Sequence, residues 1–89
     1  MEDLKQLRDR IDEIDEKLVN LFEERMETVL KVADYKKKNN IPILNTNREK
    51  EVITKNKLRL KNNDFEDSLE SFFIHLMNLS KEEQKKIIF

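Results

Sequence analysis

The most constraining feature of this chain is an apolar series with helical spacing in a stretch that no Gly or Pro breaks for more than thirty residues. Leu4, Leu7, Ile11, Ile14, Leu18 and Leu21 recur at alternating steps of three and four, and Val29 and Val32 extend the line. No Gly occurs anywhere in the 89 residues, and the one Pro lies at position 42. Strong helix formers fill the polar positions between the apolar ones. The pattern predicts one helix from roughly Asp3 to Asn39. Lys36-Lys37-Lys38 suits its negative end, Asn39-Asn40 supplies the stop, and Pro42 prevents resumption. About 36 residues at 1.5 Å each extend ~54 Å. A compact monomer of this length has a radius of gyration near 12 Å and a diameter on the order of 30 Å. Such a helix overshoots any compact monomer, and it contains no standard cause of a kink. A homodimer that pairs the long helices is the natural way to cover the stripe.

Two shorter helices are expected after Pro42. Asn45 or Thr46 opens the first, with Thr46-x-x-Glu49 matching a capping box, and it runs to about Leu60. Lys61-Asn62-Asn63 is a polar connection. Asn63 or Asp64 then caps a third helix from about Phe65 to Lys85, whose apolar set includes Leu69, Phe72, Phe73, Leu76 and Met77. The fold class is therefore all-α: three helices, the first very long.

Composition removes several functions. There is no Cys, so no disulfide framework and no thiolate chemistry. Without Gly there is no glycine-rich phosphate loop. Basic residues number 18 and acidic residues 19, and this balance argues against a nucleic-acid binder, whose footprint is usually basic. No apolar run reaches the ~18–20 residues that span a bilayer. The acidic start, Met1-Glu2-Asp3, lacks the basic-then-apolar order of a signal peptide, and a cytoplasmic protein is expected. No metal cluster, nucleophile or cofactor motif stands out, so no metal and no cofactor are expected.

The informative residues are charges where apolar ones belong. Continued past Leu21, the stripe meets Arg25 and then Lys36. These two differ by only about 20° in direction and lie roughly 16 Å apart along the axis. A buried cation needs a partner. That partner is either an acid on another helix, which is the plain structural alternative, or an anionic ligand. Arg8 lies ~25 Å before Arg25 and points about 100° away, so the two cannot grip one small ligand within a chain. Across an antiparallel dimer they can meet. Asn45, Arg48, Glu49 and Val52 share one face of the second helix, where Arg48 adds a cation and Glu49 has the capping box as its simpler role. Phe73, Met77, Ser80 and Gln84 form one line of the third helix, apolar at its start and hydrogen-bonding at its end. Solvation of the helix end is the simpler account of Ser80 and Gln84. His75 points away from that line and reads as structural or exposed.

The series Leu7-Arg8-x-x-Ile11-x-x-Ile14-Asp15-x-x-Leu18-x-x-Leu21-x-x-x-Arg25 resembles the first helix of the all-helical, AroQ-type chorismate mutases. The similarity continues through Lys36, Ile41-Pro42-Ile43 and Asn45-x-x-Arg48-Glu49, and reaches Ser80-x-x-x-Gln84. It covers essentially the whole chain, so residues 1–89 are expected to form a single chorismate mutase domain. The resemblance implies an intertwined homodimer that rearranges chorismate, a small dicarboxylate, to prephenate on the way to phenylalanine and tyrosine. It implies that Arg8 crosses into the partner's site and clamps a carboxylate together with Arg25. Lys36 would hold a carboxylate and donate to the substrate's ether oxygen, and Gln84 would donate to that oxygen from the other side. Glu49 would accept from the ring hydroxyl, Arg48 would add positive field, and Ser80 would contact a carboxylate. Asn45 stands where some relatives carry Asp, so a backbone contact to the hydroxyl survives there but a carboxylate contact does not. Two rivals fit nearly the same residues. One is an isochorismate-pyruvate lyase using the same cations; the other is a non-catalytic helical dimerisation or regulatory module, whose cations would be paired with acids.

Overall fold

A computed structural model describes residues 2–88 as three α-helices and one 3-10 turn, with no strand among them. Helix α1 spans Leu4–Lys38, α2 spans Thr46–Arg59 and α3 spans Glu66–Ile88, with the 3-10 turn at Asn63–Phe65 leading into α3. None of these helices is long and apolar enough to cross a membrane.

The start of α1 is fixed by a reciprocal cap. Asp3 Oδ1 accepts from the Gln6 backbone N–H at 2.8 Å, and Gln6 Oε1 accepts from the Asp3 N–H at 3.0 Å. The helix then runs 35 residues without a break. Its end uses an asparagine where many proteins place glycine. Asn40 takes a positive φ of 55°, and the Ile41 N–H returns to the Lys36 carbonyl at 2.8 Å. That closure turns the chain sharply and prepares the Ile41–Leu44 connection to α2.

Helix α2 opens at one of the two expected positions, whereas the start of α3 differs from the sequence expectation. The cap of α2 is Asn45, whose side chain accepts from the Arg48 N–H at 3.0 Å. Thr46 is already the first helical residue, so the Thr46–Glu49 capping box does not form, and the Glu49 side chain pairs with another helix. The third helix is entered through the 3-10 turn with Asn62 as cap, not Asn63 or Asp64. Asn62 Oδ1 accepts from the Asp64 N–H at 2.9 Å. Helix α3 also continues past Lys85 to Ile88.

Helix α3 packs on both α1 and α2 and is the centre of the chain. Lys57 of α2 reaches Glu70 of α3 at 3.1 Å and helps hold the two together. The contact with α1 uses only the second half of that helix. Arg25, Met26, Val29, Leu30, Ala33 and Lys36 are its shielded positions, and Ala33 is fully buried. A larger side chain at the fully buried Ala33 would overpack its surroundings, at a cost of about 1–3 kcal/mol. The first half of α1 has no cover within the chain. Leu4, Leu7, Ile11, Ile14, Leu18 and Leu21 are each between 45% and 62% exposed. The chain is accordingly elongated, 57 × 24 × 15 Å, with a radius of gyration of 16.3 Å.

Candidate active site

Few side chains are fully shielded, and that makes the polar ones among them conspicuous. Among the described residues the buried ones are Ala33, Leu76, Met77, Ser80 and Gln84. Ser80 and Gln84 are 5% and 7% exposed, more hidden than nearly every leucine and isoleucine in the chain. They lie one turn apart on α3. Solvation of a helix end therefore does not explain them.

Ser80 joins α3 to α1. Its Oγ accepts from Arg25 Nη1 at 2.8 Å and donates to the Leu76 carbonyl at 2.8 Å. Arg25 has no carboxylate partner among the described residues. Burial lowers the pKa of its guanidinium, and the nearby Arg48 lowers it further by repulsion. The net result is a desolvated, strongly held cation with unused N–H donors. Gln84 carries the complementary irregularity: its Oε1 is buried without a hydrogen-bond partner. A buried amide left unpaired is costly, and a guest atom could satisfy it. A half-turn about the last side-chain bond would present the amide N–H₂ in its place, so the group can serve either as acceptor or as donor.

Lys36 is also free of carboxylate partners among the described residues. Its Nζ donates to the Ile43 carbonyl at 2.8 Å and is partly shielded. The ammonium is thus anchored beside the α1–α2 connection with two further donors available. The non-catalytic alternative requires Arg25 and Lys36 to be neutralised by acids, and their observed partners are a hydroxyl and a carbonyl.

Helix α2 contributes the remaining candidates. Asn45 caps the helix, and its Oδ1 is occupied by the Arg48 N–H. The Arg48 side chain is exposed and pairs with Glu51 at 2.6 Å. Lys55 reaches the same carboxylate at 2.8 Å, and that hydrogen bond is the main reason the Glu51 pKa is lowered. Glu49 reaches across to Lys81 of α3 at 3.0 Å. Sequence reasoning missed Lys81 altogether. It sits next to Ser80 on a helix end rich in charge, and nothing local marks it.

The chain brings Arg25 together with Ser80 and Arg48, whereas Arg8 has no contact with another candidate among the described residues. It lies on the exposed first half of α1. His75 is exposed, as expected, with Nδ1 2.8 Å from the Ser71 carbonyl. A groove of about 760 Å³ runs between the three helices, and of the eight sequence-derived candidates only Arg25 and Arg48 line it. Leu18, Phe22, Phe72 and Leu76 make most of its floor apolar, a surface better suited to another helix than to a dianion.

The fold is that of a small all-helical protein in which Arg25 and Lys36 are held by neutral groups and Ser80 and Gln84 are buried on the central helix. Residues 7–85 match the family described as chorismate mutase type II, and the chain belongs to that family. A similar curated protein is the bifunctional chorismate mutase/prephenate dehydratase of Aquifex aeolicus (strain VF5), 42% identical over 55 residues. That match takes in 62% of this chain and 15% of the relative, so the chain spans only a small part of the relative's length. No solved structure gives a significant match.

Proposed function

We propose that this protein is a chorismate mutase, converting chorismate to prephenate in phenylalanine and tyrosine biosynthesis. The observation that carries this reading is the pair of inward-facing cations, Arg25 and Lys36, held by neutral protein groups and by no carboxylate. The reaction is intramolecular: a C–O bond breaks as a C–C bond forms. It requires no nucleophile, metal or cofactor, only restraint of a flexible dianion and donors at the oxygen that gains charge. Arg25, Ser80 and Arg48 suit the first task. Lys36 and Gln84 suit the second, with Gln84 turned to present its N–H₂. Glu49 accepts from the ring hydroxyl, and the Asn45 turn lies beside it.

The same reading makes the working unit a homodimer, with residues 1–89 acting as one domain. The uncovered stripe from Leu4 to Leu21 and the apolar groove between the helices support it. In an antiparallel pair, the first half of one α1 fills the partner's groove and delivers Arg8 to the partner's Arg25, completing a carboxylate clamp. The proposed setting is the cytoplasm.

Product analysis tests the activity. Incubation of the purified chain with chorismate is expected to yield prephenate. Salicylate and pyruvate from isochorismate, without prephenate from chorismate, would make the protein a lyase instead, and consumption of neither substrate would end the enzymatic reading.

A further inference from the structure

Glu49 poses an electrostatic problem for any site that binds a dianion. Its carboxylate lies one turn into α2, on the face shared with Asn45 and Val52. Asn45 already caps the helix, so Glu49 is not needed there. A free carboxylate next to a doubly negative guest would repel it, and at ~6 Å each unit of like charge weakens binding on the order of tenfold or more. A glutamate in such a place needs a counter-charge that does not itself belong to the clamp.

Lys81 supplies that counter-charge. Its Nζ stands 3.0 Å from Glu49 Oε2, and both side chains are only about a quarter exposed, at 25% and 26%. Most other ion pairs of the chain join residues three or four apart on exposed faces of one helix. The Glu49–Lys81 pair instead links α2 to α3. It does so beside the buried Ser80 and one turn before Gln84, at the edge of the site. Lys81 has no other acidic partner among the described residues.

We propose that Lys81 is a positioning residue of the site, holding and neutralising Glu49 so that a hydroxyl acceptor can stand beside a dianionic substrate. This role rests on the chorismate reading above. Lys81 holds Glu49 through an ion pair to Oε2 and leaves the second carboxylate oxygen free to accept from the substrate. Without Lys81 the carboxylate is both mobile and uncompensated, which penalises binding more than the bond-breaking step.

The test is a double-mutant cycle on the full chain, with kcat and KM for chorismate measured for the unaltered protein, Lys81→Met, Glu49→Gln and the double variant. Helix content and molecular mass in solution are checked for each. Lys81→Met is expected to lower kcat/KM about tenfold, chiefly through KM, from loss of the counter-charge. Lys81→Arg, which keeps the charge, should restore the value to within roughly threefold. In the Glu49→Gln background, Lys81→Met should change kcat/KM by no more than about twofold, the scatter of uncoupled sites. An equal loss in both backgrounds, or no loss in either, would overturn the assignment. If Lys81→Met does not fold, Lys81→Gln takes its place in the cycle; failure of both to fold would make Lys81 a structural clasp and contradict the proposal. If the unaltered protein leaves chorismate unchanged, the reading of the site falls and Lys81's role with it, an outcome distinct from all of these.

Discussion

Arg25 donates to Ser80 Oγ at 2.8 Å across the α1–α3 contact, and no carboxylate shares it among the described residues. The hydroxyl orients the guanidinium without cancelling its charge. A salt bridge would have done both, and a binding site for an anion needs only the orientation. Ser80→Ala should therefore leave Arg25 charged but less fixed. The expected result is a loss in kcat/KM of about 10-fold, of the size of one hydrogen bond to a charged group, with the helical fold retained. Steady-state kinetics together with circular dichroism check both halves of that expectation.

Lys36 is anchored by the Ile43 carbonyl at 2.8 Å and retains donors for a guest. On the proposed mechanism Lys36→Ala removes a donor to developing negative charge, a loss worth roughly 10²–10³ in rate where such donors have been deleted. The helices should survive, since the side chain makes no ion pair among the described residues. A variant with an unchanged rate would take Lys36 out of the mechanism.

Gln84 is neutral at any ordinary pH, so the hydrogen bond to substrate proposed for it would not depend on an acidic medium. A glutamate at this buried position would have to be protonated before it could donate, and burial favours the protonated form. Gln84→Glu should then be most active at low pH and lose kcat/KM as pH rises through the pKa of the new carboxyl. The unaltered protein should not share that decline. Parallel pH–rate profiles for the two proteins would remove the donor role from Gln84.

The sharing of Arg8 can be read from mixtures. Arg8→Ala and Arg25→Ala are each expected to be weakly active alone. After subunit exchange, a heterodimer has one site with both defects and one with neither, so part of the activity should return. No recovery after exchange verified by mass spectrometry would place both arginines in the same chain's site or outside it.

How far the sequence reveals this protein depends on whether the deciding contact is local. The three helices follow from apolar spacing, and the end of α1 from Asn39-Asn40 and Pro42, because these signals act within a turn of the chain. Arg25 and Lys36 were detectable because they interrupt a regular stripe. The cap of α2 was less legible: Asn45 and Thr46 are adjacent and both can cap, and the choice of Asn45 goes with Glu49 turning to Lys81 on another helix. Ala33 gave no signal, since only the approach of α3 distinguishes it from the flanking valines and leucines. Arg8 remained apart from the other site residues for a different reason. In the proposed dimer its neighbours would belong to a second copy of the chain.

The central claim is that the inward cations are kept for an anionic guest, and titration with a bicyclic dicarboxylate analogue of the rearrangement's transition state tests it most directly. Calorimetry should show one molecule bound per protomer, more tightly than chorismate, with binding weakened in Arg25→Ala and Lys36→Ala. At a hundredfold excess over Kd the same ligand should stabilise the folded protein by about 2.7 kcal/mol. No heat of binding and no thermal shift at millimolar analogue, with the protein folded and dimeric, would contradict the account.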